Sequence, residues 1–427
     1  MVRRVDERPK QLLVGSLMAL AFLLACGAAV RPWVARWVGG VAPLDRGARR
    51  ALFVDPGNDR FQAVLATVYH YSLLLRDYPT ALTYYHSTLR SNPLDSISWL
   101  RLGKLYQQLK RPREADKALR LVGQLAPNDS TIMWETTLAY LEEGQLHEAL
   151  HTLTQFISSS ADGDARARGY DLALSLLSLD EVLDRVLPAD VTSYTQYAQY
   201  LLDRNREEEA IQAWGRINEI VSRIPVRVDP NLQLRMVDLF MARRKYVPAH
   251  EVWMNLMREM EPDAAPSGAN LVSNGSFERG DTLGRGFDWK IGGGDGVACD
   301  FDTSMRYEGR QSLRLSFSKV SGGFSNVLQV VLVRPDSVYT IEAYIRTQGL
   351  DGSPRIHFEV TDPLKGPLAR TETVSGTGEW TKVRAAFRTP AKSQVVILRL
   401  RSEPTPRSIQ VNSATAWIDK VSMTQAH

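Results

Sequence analysis

The amino-acid sequence predicts a multidomain α and β protein: an N-terminal apolar helix, then an α-helical repeat solenoid, then an antiparallel β-sandwich. Three observations lead there. Residues Leu12 to Val30 are 19 consecutive uncharged, mostly apolar positions. Ala81, Ala115 and Ala149 recur at a spacing of 34, as do Pro93 with Pro127 and Tyr106 with Tyr140. Beyond the turn-rich stretch 261–269, apolar residues change from the helical period of about 3.6 to the strand period of about 2. The expected division is 1–37 for the N-terminal segment, 38–260 for helical repeats, 261–269 for a linker and 270–425 for the sandwich.

Composition excludes several classes. A chain of 427 residues holds two or three domains of roughly 150 residues. Hydrophobic residues at 44% and charged residues at 23% exclude wholesale disorder, a collagen-like fibre and a polytopic membrane protein. The 52 basic and 48 acidic side chains leave a net charge of +4, dispersed along the chain, and point to no nucleic-acid partner. Two cysteines, Cys26 and Cys299, make no disulfide framework.

At about 1.5 Å per residue the run Leu12 to Val30 approaches the ~30 Å thickness of a bilayer's hydrocarbon. Arg3, Arg4, Arg8 and Lys10 precede it, while Arg31, Arg36, Arg46, Arg49 and Arg50 follow and weaken the charge asymmetry. Three fates fit: a retained single-pass anchor, a signal peptide cleaved near Cys26-Gly27-Ala28, or a lipoprotein processed before Cys26, since Leu23-Leu24-Ala25-Cys26 resembles a bacterial lipobox. The anchor is preferred because no turn-former ends the run and because Trp33 and Trp37, among arginines, suit a membrane interface. Each fate places the bulk of the chain outside the cytoplasm, with the bacterial cytoplasmic membrane as the expected location.

In the clearest repeat, Trp99, Leu102, Gly103, Tyr106, Ala115, Leu119 and Pro127 fall at the offsets of the tetratricopeptide repeat, and the segment resembles that family. Gly103 and Ala115 are small where two antiparallel helices must approach, Tyr106 and Leu119 fill the space between them, and Pro127 stops the second helix. Leu65, Val68, Ala81, Tyr85 and Pro93 precede in phase; Met133, Tyr140, Ala149, Leu153 and Phe156 follow. Later hairpins are expected around Tyr194, Ala198, Ala210, Trp214 and Ile217 and around Val237, Phe240, Ala249, Trp253 and Leu256, with one divergent hairpin over 164–188. The resemblance implies a superhelical groove that takes a protein partner. The signature residues themselves are accounted for by helix packing.

His147-Glu148-Ala149-Leu150-His151 matches H-E-x-x-H, which on a helix sets two imidazoles on one face as in zinc peptidases. Repeat register gives another origin for it. Glu148-Ala149 occupies the place of Glu114-Ala115 and Glu209-Ala210, so the glutamate marks the start of a second helix, and no third ligand follows at a family spacing.

Segments 311–317, 325–333, 338–347, 355–360, 380–388, 394–401 and 416–423 read as strands divided by Gly, Pro, Asp and Ser turns. The motifs Asn270-Leu271-Val272-Ser273-Asn274-Gly275-Ser276-Phe277-Glu278, Trp289, Glu308-Gly309-Arg310-Gln311-Ser312-Leu313, Gly378-Glu379-Trp380-Thr381 and Ala416-Trp417-Ile418-Asp419-Lys420-Val421 resemble the carbohydrate-binding modules with a galactose-binding-like jelly-roll fold. The resemblance implies polysaccharide or oligosaccharide binding. It also implies a structural calcium at Glu278 and Asp419, with backbone oxygens near Glu308 and Gly309; Lys420, where the family often has a second acid, opposes that. No other cofactor is expected.

Sugar recognition needs a flat aromatic face and polar groups for hydroxyls. Trp289, Trp380 and Trp417 each sit in a fold motif and are assigned to packing. Strand alternation offers others: with Ile341, Ala343 and Ile345 inward, Glu342, Tyr344 and Arg346 point outward. Likewise Arg355, His357 and Glu359 alternate with Ile356 and Phe358, and Arg399 and Arg401 with Val396, Leu398 and Leu400. Glu342, Tyr344, Arg346, His357, Glu359 and Arg399 are the candidate glycan-binding residues; an ordinary solvated sheet face has the same pattern. The expected function is a non-catalytic, membrane-anchored extracytoplasmic scaffold that holds a protein partner on its repeats and glycan on its sandwich, in cell-envelope or exopolysaccharide assembly. The alternatives are a polysaccharide-active enzyme using Tyr344 with His357, a zinc peptidase at His147 and His151, and a protein adaptor that binds no glycan.

Overall fold

In a computed structural model the described residues are 30–37, 44–260, 270–294, 296–320, 323–350, 354–403 and 409–426. The apolar run that begins at Leu12, apart from Val30, lies outside them, as do Cys26 and the linker 261–269. Among the described residues no helix is long and apolar enough to cross a membrane. The chain divides into two compact units, Met1–Tyr200 and Leu201–His427.

The first unit is helical. After α1 (Leu44–Val54) come α2 (Asp59–Tyr71) with α3 (Tyr78–Ser91), α4 (Ser96–Gln108) with α5 (Pro112–Leu125), and α6 (Ser130–Glu142) with α7 (Leu146–Ser159). Four of the starts have a local cause. Asp77, Asp95 and Asp129 accept from the N–H of Thr80, Ser98 and Ile132 at 3.4, 3.2 and 3.1 Å, and Pro112 opens α5 where its missing N–H costs nothing. The 34-residue repetition is a burial repetition: Ala81, Ala115 and Ala149 are 0, 3 and 1% exposed. Gly103 is required by contact, since a Cβ there would lie 2.8 Å from Leu119 Cδ2. Successive hairpins are joined by side chains, with Arg101 Nη1 donating to Thr67 Oγ1 at 2.9 Å and Gln107 Nε2 to the Ala139 carbonyl at 2.8 Å.

The divergent stretch forms α8 (Gly163–Leu176) and a short α9 (Leu179–Arg185), started by a capping box between Ser178 and Glu181. Gly169 in α8 lies against α7, and a Cβ on it would lie 2.7 Å from Ile157 Cγ1. His147 and His151 lie on the exposed side of α7, while Ala149, Leu150 and Leu153 are buried. Glu148 faces Arg120 at 3.8 Å. Among the described residues no group of three His, Cys, Asp or Glu side chains is placed to hold a metal ion.

The second unit contains α11 (Glu207–Val221), α12 (Pro230–Ala242), α13 (Tyr246–Met260) and the sandwich; α10 (Val191–Asp203) spans the division. The first sheet has the order β1-β4-β9-β6-β7: Lys290–Ile291, Val327–Leu332, Val395–Ser402, Ile356–Asp362 and Gly366–Arg370. The second has β2-β3-β10-β5-β8: Val297–Asp302, Ser312–Val320, Ile409–Gln425, Val338–Leu350 and Gly376–Arg388. All the pairings are antiparallel. Three strands were not expected from sequence. β1 has two residues, β2 and β7 are sheet edges, and β7 tolerates Pro367. Between the sheets lies one core that includes Trp289, Leu313, Ile341, Ile345, Phe358, Leu398 and Ile418.

The helical hairpin α12–α13 belongs to this unit because the loop before β1 docks on it. Phe287 is 3% exposed and meets His250 edge-on at 4.9 Å. Gly286 has φ +59, and a Cβ there would sit 2.9 Å from the Trp253 ring, so both backbone and space demand glycine.

Two expectations follow. Gly103→Val should cost the helical unit about 1–3 kcal/mol by overpacking against Leu119, read as a lower thermal midpoint by far-ultraviolet circular dichroism. His70 is buried, with Nδ1 3.2 Å from Tyr85 Oη and Nε2 3.2 Å from Gln108 Oε1, and burial lowers its pKa from 6.5 to about 4. Between those values the unfolded chain binds a proton that the folded chain does not, so stability is lost as pH falls from 6.5 towards about 4. A His70→Gln variant should show a shallower loss over that window in thermal melts.

Candidate functional site

The outward face of the second sheet is built by alternation. In β10, Ala416 and Ile418 are fully buried in the core, which turns Trp417 and Asp419 outward. In β5, Ile341, Ala343 and Ile345 point inward and Glu342, Tyr344 and Arg346 outward; in β8, Val383 points inward and Trp380, Lys382 and Arg384 outward. Register puts Trp417 opposite Arg346 and Arg314, and Tyr344 opposite Asp419 and Lys382.

An aromatic cluster results. Tyr307, from the loop between β2 and β3, stacks on Tyr344 with ring centroids 3.8 Å apart and planes 18° from parallel, and Trp380 meets Tyr307 edge-on at 5.8 Å. Lys420 Nζ lies 5.6 Å from the Tyr307 centroid and 5.9 Å from that of Tyr344, and 2.8 Å from Glu308 Oε2. Tyr307 is 40% exposed, while Trp417 is 7% exposed and donates through Nε1 to Asp302 Oδ2 at 2.9 Å. Burial alone would raise the Asp302 pKa, but hydrogen bonds from Ser304 and Trp417 hold it below the usual carboxylate range. The surrounding charges are paired: Arg346 with Glu379 at 2.5 Å, Lys382 with Glu342 at 2.8 Å, and Arg314 with Asp300 at 2.6 Å. Half-exposed rings bordered by paired acids and bases supply an apolar face for a sugar ring and hydrogen-bonding groups for its hydroxyls.

The six candidates from sequence do not share this surface. Glu342, Tyr344 and Arg346 are on it. His357, Glu359 and Arg399 stand on the outward face of the first sheet, with the core between. There Glu359 is opposite Arg399 and accepts from Arg401 Nη1 at 2.7 Å. His357 is 4% exposed, and burial, reinforced by Arg370, lowers its pKa to about 4. The catalytic alternative that paired Tyr344 with His357 fails on this point, because the two side chains project from opposite sheets. Trp289 is a core residue, as assigned, whereas Trp380 and Trp417 belong to the outward face. Alternation over Ala416-Trp417-Ile418 carried the signal for Trp417; Tyr307 is in a loop, where no period applies.

Glu278 and Asp419, the calcium candidates, hold the Tyr307 loop. Asp419 is fully buried; Oδ2 accepts from the N–H of Tyr307 at 2.8 Å and of Glu308 at 3.1 Å, and Oδ1 from the N–H of Lys420 at 2.7 Å. Burial raises its pKa against those three bonds. Glu278 accepts from the N–H of Arg310 at 2.9 Å, and a Cβ on Gly309 would lie 2.0 Å from Glu278 Oε1. In this arrangement the two carboxylates face N–H donors and Lys420 adds a cation beside Glu308, a donor set that does not fit a calcium ion, which needs six to eight oxygens.

Asp419→Asn should release this loop, because an amide cannot accept from all three N–H groups. Amide hydrogen exchange at Tyr307 and Glu308 is expected to accelerate by roughly ten-fold or more, as about 1–3 kcal/mol of hydrogen bonding is lost. Chelation by EDTA should leave wild-type exchange at those amides unchanged.

Two known families match parts of the chain. A carbohydrate binding domain family matches residues 269–407 and a tetratricopeptide repeat family residues 74–130. No curated protein matches the chain. Among solved structures, TmCBM61 in complex with β-1,4-galactotriose is 17% identical, covering 37% of this chain and 99% of its own, with a TM-score of 0.27. The CBM22-1 xylan-binding domain from Paenibacillus barcinonensis Xyn10C is 22% identical over 35% of this chain and 90% of its own, with a TM-score of 0.24. MamA is 14% identical over 41% and 85%, with a TM-score of 0.25. The chain thus contains a stretch, 74–130, that matches tetratricopeptide repeats and a stretch, 269–407, that matches a carbohydrate binding domain.

Proposed function

We propose that this protein is a non-catalytic scaffold that binds glycan on the outward face of its second sheet and a protein partner on its helical repeats. The observation that carries this reading is the cluster of Tyr307, Tyr344 and Trp380 beside paired charges, outside the core. A cluster that served packing alone would lie between the sheets with Trp289. The repeats bury their signature residues and leave the rest of each helix for a partner. The run Leu12 to Val30 supports a retained single-pass anchor in a bacterial cytoplasmic membrane, with repeats and sandwich outside the cytoplasm and a role in cell-envelope or exopolysaccharide assembly.

Affinity electrophoresis of the full chain against neutral and acidic polysaccharides tests the glycan arm. Retardation by at least one polymer is expected. Tyr344→Ala should weaken it roughly two- to ten-fold, since an aromatic contact supplies about 0.5–1.5 kcal/mol beyond area burial, while Arg399→Ala on the other sheet should leave it unchanged. No retardation with any glycan would favour a protein-only adaptor, and turnover of a retarding polymer would identify an enzyme.

A further inference from the structure

The helical unit has two edges, and they differ in chemistry. One carries the turns within each hairpin, at 72–77, 109–111 and 143–145; the other carries the turns between hairpins, at 55–58, 92–95 and 126–129. The first of these edges ends in exposed leucines: Leu73 is 88%, Leu74 94% and Leu75 38% exposed. The four-residue turn after α1 folds it back along α2, and the Arg49 guanidinium hydrogen-bonds Tyr69 Oη, so the start of α1, with Leu44 73% exposed, lies at this same edge. Arg46, Arg76, Lys110, Arg111 and Arg113 are exposed here against Asp77 and Glu114. At the third turn the charges become Glu142 and Glu143, so the basic, leucine-tipped surface belongs to the first two hairpins.

The opposite edge also exposes Phe53 and Leu94, but there Arg60 and Arg90 are outnumbered by Asp55, Asp59, Asp95 and Asp129, so this edge has no net positive rim for an anionic lipid surface. A rim of arginine and lysine can place its cations among phosphates while leucines at a turn tip enter the acyl boundary. Position agrees with this chemistry. Trp33 and Trp37 are 72 and 74% exposed in the helical residues 30–37, and the seven peptide steps from Trp37 to Leu44 span at most about 25 Å.

We infer that the edge bearing Leu73, Leu74 and Arg76 is a membrane-docking surface that seats the first two hairpins on anionic lipid. The inference rests on the proposal that Leu12 to Val30 is a membrane anchor. It gives the scaffold a fixed stance on the bilayer, where an anchor alone would leave it tethered.

The test uses the full chain with an environment-sensitive fluorescent amino acid at position 74, or at position 94 as the opposite-edge control, reconstituted into phosphatidylcholine vesicles with and without phosphatidylglycerol. The expected result is blue-shifted emission at position 74 in anionic vesicles, quenched by brominated lipid, with water-like emission at position 94. Combined Arg76→Glu, Lys110→Glu and Arg111→Glu should return position 74 to its solution value while the chain still floats with the vesicles. Flotation with water-like emission at position 74 would overturn the docking surface and leave the anchor standing, and would favour a protein partner for the leucines. Blue-shifted emission without lipid would show the leucines covered by the protein itself and also overturn it. Failure to float would remove the anchor reading, and the inference with it.

Discussion

The side chain of Asp419 joins the interior of the sandwich to its outward face. It is fully buried, so its carboxylate has to be satisfied by protein groups, and it takes the N–H of Tyr307, Glu308 and Lys420. Those bonds fix the loop between β2 and β3, and the loop places Tyr307 on Tyr344. The strand that carries Asp419 sits at the centre of its sheet, paired to β3 on one side and β5 on the other, and its inward residues Ala416 and Ile418 are core. One strand therefore holds the core together and positions the aromatic cluster, and a change at Asp419 reaches the surface through hydrogen bonds.

A comparable economy governs the helices. Register decides which residues are small, which are aromatic and which are acidic, before any partner is considered. The H-E-x-x-H of α7 is a case: Glu148 stands where the second helices α5 and α11 carry Glu114 and Glu209, and Ala149 is where each second helix must be small. The two histidines occupy positions that packing leaves unconstrained. Register also explains the charge of one edge, because Asp95 and Asp129 cap the first helix of successive hairpins and face the same way.

The two outward faces of the sandwich are used differently. On the first sheet His357 is buried and Glu359 is engaged by Arg401, whereas the second sheet leaves Tyr307 and Trp380 half-exposed. The exposed charges of the second sheet are paired across strands and contribute little to stability. Their effect is to hold long side chains upright beside the rings, where hydroxyl groups of a ligand can meet them.

The classes of structure and their order are legible in the residue pattern, because helix and strand each impose a period on what is buried. Ala81, Ala115 and Ala149 disclosed the repeats, and Ile341, Ala343 and Ile345 disclosed the inward face of β5. Alternation also showed that Tyr344 and His357 both point away from the core, but it is the membership of β5 and β6 in different sheets that sends them to opposite sides. A period of two residues tells which face of its own strand a side chain occupies and contains nothing about which sheet the strand joins; that is settled by pairing between residues far apart in the chain, such as Trp417 with Arg346. The same limit hid Tyr307, whose place depends on a hydrogen bond from a loop to a carboxylate 112 positions later.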